Sequence, residues 1–242
     1  MTARKPTPPN LPRRFYKEAA VSREGDRWAI LLDGKPVRTP QKNHLATEHE
    51  TLATLIAEEW AAQGDLIDPT TMPLTRLLNV SIDGAPGARD ALADEVAKYA
   101  ETDLVCHLAD GPSELRARQE AGWGRWREWA GKTLDIVLVP VEGIIASPQP
   151  DASLKAARDH AASLDDLRLT ALTWAMALYG SAVLALAVEQ GELDALDAFD
   201  LSRIDETWQI EQWGEDEEAM GVVARRRADA DAIGQLFAAI AR

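Results

Sequence analysis

The sequence predicts an α+β N-terminal unit plus a mainly α-helical C-terminal domain in a two-domain chain, and three observations carry that reading. Up to residue 40 the chain holds short β-type runs separated by tight polar turns. From residue 47 the apolar positions recur at three- and four-residue spacing instead. Asp68-Pro69 and Met72-Pro73 then mark a connector, beyond which the pattern is almost all helix. The expected organisation is a flexible leader over 1–12, a small α+β domain over 13–72 and a helical domain over 73–242.

Phe15 to Ser22 and Arg27 to Leu32 read as two strands joined by Arg23-Glu24-Gly25-Asp26, a polar turn of hairpin length. Asp33-Gly34 is a two-residue turn signal that lets Lys35 to Thr39 return as a third strand. Pro36 and Pro40 lack the donors of a central strand, so this run belongs at an edge or stays irregular. Thr47 and Glu50 have the spacing of a capping box, and Leu52, Leu55, Ile56 and Trp60 define a helix over 47–63, closed by Gly64. Three short strands cannot bury their own face, and this helix is the cover.

Leu74, Leu77 and Leu78 open the next segment, which Asp83-Gly84 ends. Leu92, Val96 and Tyr99 give the inner face of another, and Ser113 is the expected cap of a third containing Leu115, Trp126 and Trp129. Leu134 to Ile145 is β-rich but interrupted by Pro140, which suits an extended connection with local pairing. Helices over 151–163, 166–189, 193–200, 202–213 and 216–240 follow, the last with Ile233, Leu236, Phe237 and Ile240 on one stripe.

Composition narrows the function classes. A hydrophobic content of 46% with 27% charged residues is ordinary for a folded soluble chain. The net charge of -14 is unevenly placed, because residues 1–17 carry five cations and no acid. So acidic a body repels nucleic-acid phosphates and suits basic protein partners, or simply solubility. The basic, Pro-rich opening lacks the apolar core of a secretory signal, and its prolines would break the amphipathic helix of a transit peptide. Leu169 to Val188 has no charged residue and about the length of a bilayer span, but six alanines with Thr170, Thr173, Tyr179, Gly180 and Ser181 fit a buried bundle helix better. No membrane insertion is expected. No coiled-coil seam stands out, so the free protein is expected to be a monomer.

Catalytic and ligand-binding motifs are missing. The chain has no G-x-G-x-x-G after a strand, no phosphate-binding G-x-x-x-x-G-K-[ST], no H-E-x-x-H and no C-x-x-C. His44 and His49 do not stack on one helical face, and the adjacent pair Cys106-His107 would point to opposite sides of an extended segment. Acid pairs such as Glu58-Glu59 and Asp165-Asp166 read as solvated surface among forty acids. No catalytic residue, cofactor or metal is therefore expected.

Eight tryptophans against three phenylalanines are many for this length. Trp123, Trp126 and Trp129, spaced by three along one helix, suit core packing, and Trp60 suits packing at its helix end. The segment from Leu201 to Asp216 is different. Ser202 and Asp205 have the positions to cap its helix, and Leu201, Ile204 and Trp208 form an inward stripe. Glu206, Gln209, Ile210 and Trp213 form a second stripe of acid, amide, aliphatic and indole, a mixture poor for a core and suited to an interface. Gly214 then ends the helix, and the acids of Glu215-Asp216-Glu217-Glu218 either favour the next helix dipole or meet a partner. The expected partner-binding set is Asp205, Glu206, Gln209, Glu211 and Trp213, with Ile204, Trp208 and Trp60 structural.

Several blocks in order carry a resemblance: Arg14-Phe15-Tyr16-Lys17, Leu32 to Pro40, Glu59-Trp60 with Gln63, Met72 to Leu77, Thr102 to Cys106, and Leu201 to Gly214. Together they resemble the Atp-twelve family, chaperones that assemble the catalytic head of ATP synthase. The resemblance implies a protein that binds the isolated alpha subunit and shields the surface later occupied by the beta subunit, with no nucleotide hydrolysis and no metal. It also implies a functionally sensitive acid just before the aromatic-Gln-Ile run, a place that Asp205 and Glu206 both fit. Trp60, important in the family, is assigned a folding role. The expected compartment is the bacterial cytoplasm, or the mitochondrial matrix for a eukaryotic source. A second reading is a small-molecule enzyme with a site in the cleft between the two domains.

Overall fold

A computed structural model describes residues 11–143, 145, 147–214 and 217–241, with no side-chain description for 217 and 218. Most of the expected leader and the side chains of Glu215-Asp216-Glu217-Glu218 lie outside the described residues. The chain divides into two compact units, Met1–Asn79 and Val80–Arg242. A small sheet characterises the first and a helical assembly the second.

In the first unit, β1 (Ala19–Glu24) and β2 (Arg27–Leu32) form an antiparallel hairpin around Gly25-Asp26. β1 starts four residues later than expected and runs two residues further, because Gly25 at φ +63° allows a tighter turn. Asp33 and Gly34, both at positive φ, make the next turn, and β3 (Lys35–Pro36) returns on the other edge of β2. The Asp33 carboxylate accepts from the amides of Lys17 and Glu18 at 3.0 Å. Those bonds, Glu18 first, hold its carboxyl below the usual range.

β4 (Ala46–Thr47) also pairs with β2, opposite Trp28 and Ala29. This overturns the expected capping box. Thr47 is a strand residue whose hydroxyl accepts from the His49 amide, and α1 (Glu50–Ala61) starts after His49 without a side-chain cap. Leu52, Ala53, Ile56 and Ala57 are the buried face of α1, which packs against β1 and β2. Pro12 and Arg14 bond to Ile67 and Asp65, which closes this unit around Tyr16, Leu32, Ile67 and Met72.

Glu59 is not solvated surface, as the acid-pair reading expected. It reaches the start of α2 (Pro73–Asp83), accepting from the amides of Leu74 at 2.7 Å and Thr75 at 2.8 Å and from the Thr75 hydroxyl. Burial raises its carboxyl, and those three donors oppose the shift. A carboxylate from another helix thus satisfies amides that a helix start leaves without partners.

The second unit runs through α3 (Ala85–Glu101), β5 (His107–Leu108), α4 (Ser113–Leu134), β6 (Val141–Glu142), α5 (Asp151–Ser163), α6 (Asp166–Tyr179), α7 (Ala182–Glu189), α8 (Ala195–Leu201), α9 (Ile204–Trp213) and α10 (Glu217–Ala239). β5 and β6 pair in parallel, so the extended Pro140 segment pairs with the distant strand His107–Leu108 and not locally as expected. Just before β6, Val137 and Val139 bond through their backbones to the side chains of Ser153 and Gln149. Ser113 does not cap α4, whose N-cap is Pro112.

The apolar run from 169 to 188 is two helices, not one. Gly180 at φ +68° ends α6, and the Ser181 hydroxyl caps α7 by accepting from Leu184. All eight residues of α7 are buried, which explains the absence of charge without a bilayer. No helix among the described residues is long and apolar enough to cross a membrane. Glu189 ends α7 held by Arg168 and His160.

Asp103 ties this core together. Fully buried, it accepts from the amides of Val105 at 3.1 Å and Val183 at 3.0 Å, joining the turn Leu104–Cys106 to the start of α7. Burial pushes its carboxyl up to about 6 against those donors and the Ser181 hydroxyl. An unfolded-chain aspartate titrates near about 3.9, so between about pH 4 and 6 the folded form binds the extra proton. Stability from this group therefore falls as pH rises through that window. In urea melts, the stability difference between wild type and Asp103→Asn is expected to shrink from about pH 4 to 6 and then level. A difference flat across that range would show that Asp103 titrates as it does in the unfolded chain.

Candidate functional site

α9 has no buried residue, so its place in the second unit depends on one face. Leu201 and Ile204 lie over Gly122 of α4, where an added Cβ would come within 2.7 Å of Ile204 Cδ1 and 3.1 Å of Leu201 Cδ2. The Trp123 indole donates to the Leu201 carbonyl at 2.9 Å. Farther along, the Arg118 guanidinium stacks on Trp208 at 4.7 Å and grips both carboxylate oxygens of Glu211 at 2.8 and 2.7 Å. The inward stripe of Leu201, Ile204 and Trp208 is thus turned to α4.

The expected Ser202–Asp205 cap does not form. Ser202 is the C-cap of α8, and its hydroxyl turns back to the Phe199 carbonyl at 2.7 Å. Arg203 is the N-cap of α9 and contributes no side-chain bond. Asp205 instead accepts at 2.6 Å from Gln119, whose own carbonyl accepts from the Ala109 amide at 2.7 Å. Burial raises the Asp205 carboxyl, the Gln119 bond opposes, and the nearby Glu206 charge raises it further.

The other face is open. Glu206, Gln209, Ile210 and Trp213 line a cavity of about 550 Å³ together with Met220 and Val223 of α10. Trp213 is 79% exposed, and Met220 and Val222 remain nearly half exposed. Gly214 stands at φ 89° and ψ 172°, a region glycine alone enters readily, and it allows the chain to leave α9 abruptly. A large indole left in solvent, with aliphatic neighbours and a polar rim of Arg203, Glu206 and Gln209, is the composition of a binding patch.

Of the five expected partner-binding residues, the structure brings Glu206, Gln209 and Trp213 to this cavity. It turns Asp205 and Glu211 toward α4. Ile204 and Trp208 hold the helix. Trp60 belongs to the first unit, where Tyr16 donates its hydroxyl to the Trp60 carbonyl at 2.7 Å and the two rings meet edge to face at 5.7 Å. Trp123 and Trp126 are buried core. Sequence reasoning missed Arg118, Gln119 and Gly122, which act on a segment more than 75 residues away and leave no local pattern.

Burial, with the Asp103 charge adding to it, pushes the Cys106 thiol up to about 12, which keeps it protonated at neutral pH and unfit as a nucleophile. Among the described residues no group of three His, Cys, Asp or Glu side chains could hold a metal ion.

The fold is a small α+β unit followed by a helical assembly that carries an exposed apolar patch on α9 and α10. Residues 13–131 match the model of the ATP12 chaperone protein family. The chain is similar to crystal structures of Atp12 from Paracoccus denitrificans and of an aspartate-to-lysine mutant of that protein. Each is 41% identical with a TM-score of 0.86, covering 94% of this chain and 97% of the other. It is also 24% identical to the mitochondrial protein atp12 of Schizosaccharomyces pombe, over 90% of this chain and 79% of that one. The chain belongs to the ATP12 chaperone family.

The two indoles of α9 are expected to separate experimentally. Trp213→Ala should leave the unfolding free energy from urea melts within about 0.5 kcal/mol of wild type, as for an exposed side chain. Trp208→Ala, which removes the surface under Arg118, should cost roughly 1–2 kcal/mol. Equal losses would put Trp213 in the fold rather than in a binding patch.

Proposed function

We propose that the protein is a chaperone of ATP synthase assembly that holds the unassembled alpha subunit of the catalytic head. The exposed Trp213 in the largely apolar cavity between α9 and α10 is the observation that carries this reading. An orphan subunit exposes the apolar surface that its permanent partner will cover, and that surface drives aggregation. A binder selective for the unassembled form keeps it soluble by mass action and gives way when the beta subunit arrives.

In this reading Trp213 and Ile210 cover apolar surface of the alpha subunit, Glu206 meets a cationic group at its edge, and Gln209 bonds between them. Asp205 and Glu211 support the contact from behind. The net charge of -14 favours encounter with a basic surface and keeps the unloaded chaperone soluble. The protein acts by binding, without catalysis or cofactor. Its place is the bacterial cytoplasm, or the mitochondrial matrix in a eukaryote; the fission-yeast relative is named a mitochondrial protein.

Co-expression tests this directly. The alpha subunit should be soluble with the wild-type protein and mostly aggregated without it or with Glu206→Lys. The unfolding free energy of Glu206→Lys from urea melts should stay within about 0.5 kcal/mol of wild type. An alpha subunit equally soluble alone, and no complex on size exclusion, would refute the proposal.

A further inference from the structure

The hold of α4 on α9 is uneven. Around Gly122, Leu201, Ile204 and Asp205 are fixed by close packing and by the bonds from Trp123 and Gln119. These contacts all lie at the start of α9, whereas the exposed indole lies at its end. There the ties to α4 come from Arg118, one helical turn before Gly122 on the same face, through Trp208 and Glu211. Both charged side chains are close to half exposed, so the pair is not a core contact.

We propose that Arg118 and Glu211 are a positioning pair, which fixes the rotation of α9 and aims Trp213 and Gln209 into the cavity without touching the client. This rests on the reading of the α9–α10 face as the client site. Two residues along a helix amount to a rotation of about 200°. Drawing Glu211 against α4 therefore turns Trp213 away from it, toward α10. The chemistry suits this work. One nitrogen of the guanidinium, Nη1, donates to both oxygens of Glu211 while the guanidinium carbon lies 4.7 Å from the centre of the Trp208 ring, so a single cation ties two successive turns of α9 to α4.

The test uses full-length protein with Arg118→Glu, Glu211→Arg and the double exchange, which restores an ion pair in reversed order. Amide hydrogen exchange over residues 207–213 and affinity for the isolated alpha subunit are measured together. Each single variant is expected to speed exchange there and weaken affinity by roughly three- to tenfold. The double exchange restores the ion pair but not the Arg118 contact with Trp208, so it should recover a large part of both the lost protection and the lost affinity. Unchanged exchange in the single variants overturns the proposal. So does a double exchange that restores protection but not affinity, since that places the two residues in the client contact itself. If the exchange results hold but wild type does not bind the alpha subunit, the pair's hold on α9 stands and the assigned client falls.

Discussion

Gly122 lets α4 and α9 approach until Ile204 and Leu201 fill the space where a Cβ would sit. Everything the protein displays on α9 depends on that approach. A fully buried aliphatic side chain contributes about 1.5–3 kcal/mol, and neither Leu201 nor Ile204 is fully buried. Packing alone therefore holds α9 weakly, and the indole, amide and guanidinium of Trp123, Gln119 and Arg118 complete the attachment. With one face so engaged, the helix needs no second layer over it. Glu206, Gln209, Ile210 and Trp213 are left to the cavity beside α10.

Acidic residues serve opposite purposes in this chain. Glu59 and Asp103 are taken out of water and aimed at amides that helix and turn starts leave without partners. Burial raises both carboxyls, so each trades solvation for the join it makes. Asp205 is intermediate, half-buried and answered by a neutral amide. Glu206 is left in solvent, where its charge stays available to a partner. A protein with a net charge of -14 thus keeps most of its acids for solubility and a few for architecture.

Local chemistry made much of the fold legible. Gly25 and Asp33-Gly34 announce the two hairpin turns because positive φ has few tolerant residue types, and both turns form. The last helix was legible from one apolar stripe. Errors arose where tertiary pairing overruled a local signal. Thr47 had cap spacing but was drawn into a strand by Trp28. Ser202 faces backward because α8 ends at it. The run through Gly180 read as one helix because every neighbour is apolar, although glycine there permits the left-handed turn that splits it. At the site, the aromatic-and-acid stripe was visible in sequence, since helical spacing alone groups Glu206, Gln209 and Trp213. The ties of Asp205 and Glu211 to α4 were not, because Gln119 and Arg118 approach them from a distant helix.

The account turns on Trp213 touching the client. A photo-activatable amino acid placed at Trp213, with a control at the exposed Lys155 of α5, tests it in the complex with the isolated alpha subunit. Cross-links from position 213 to the surface of alpha that the beta subunit covers, with none from 155, are the expected result. A complex that forms normally yet gives no cross-link from 213 would contradict the account.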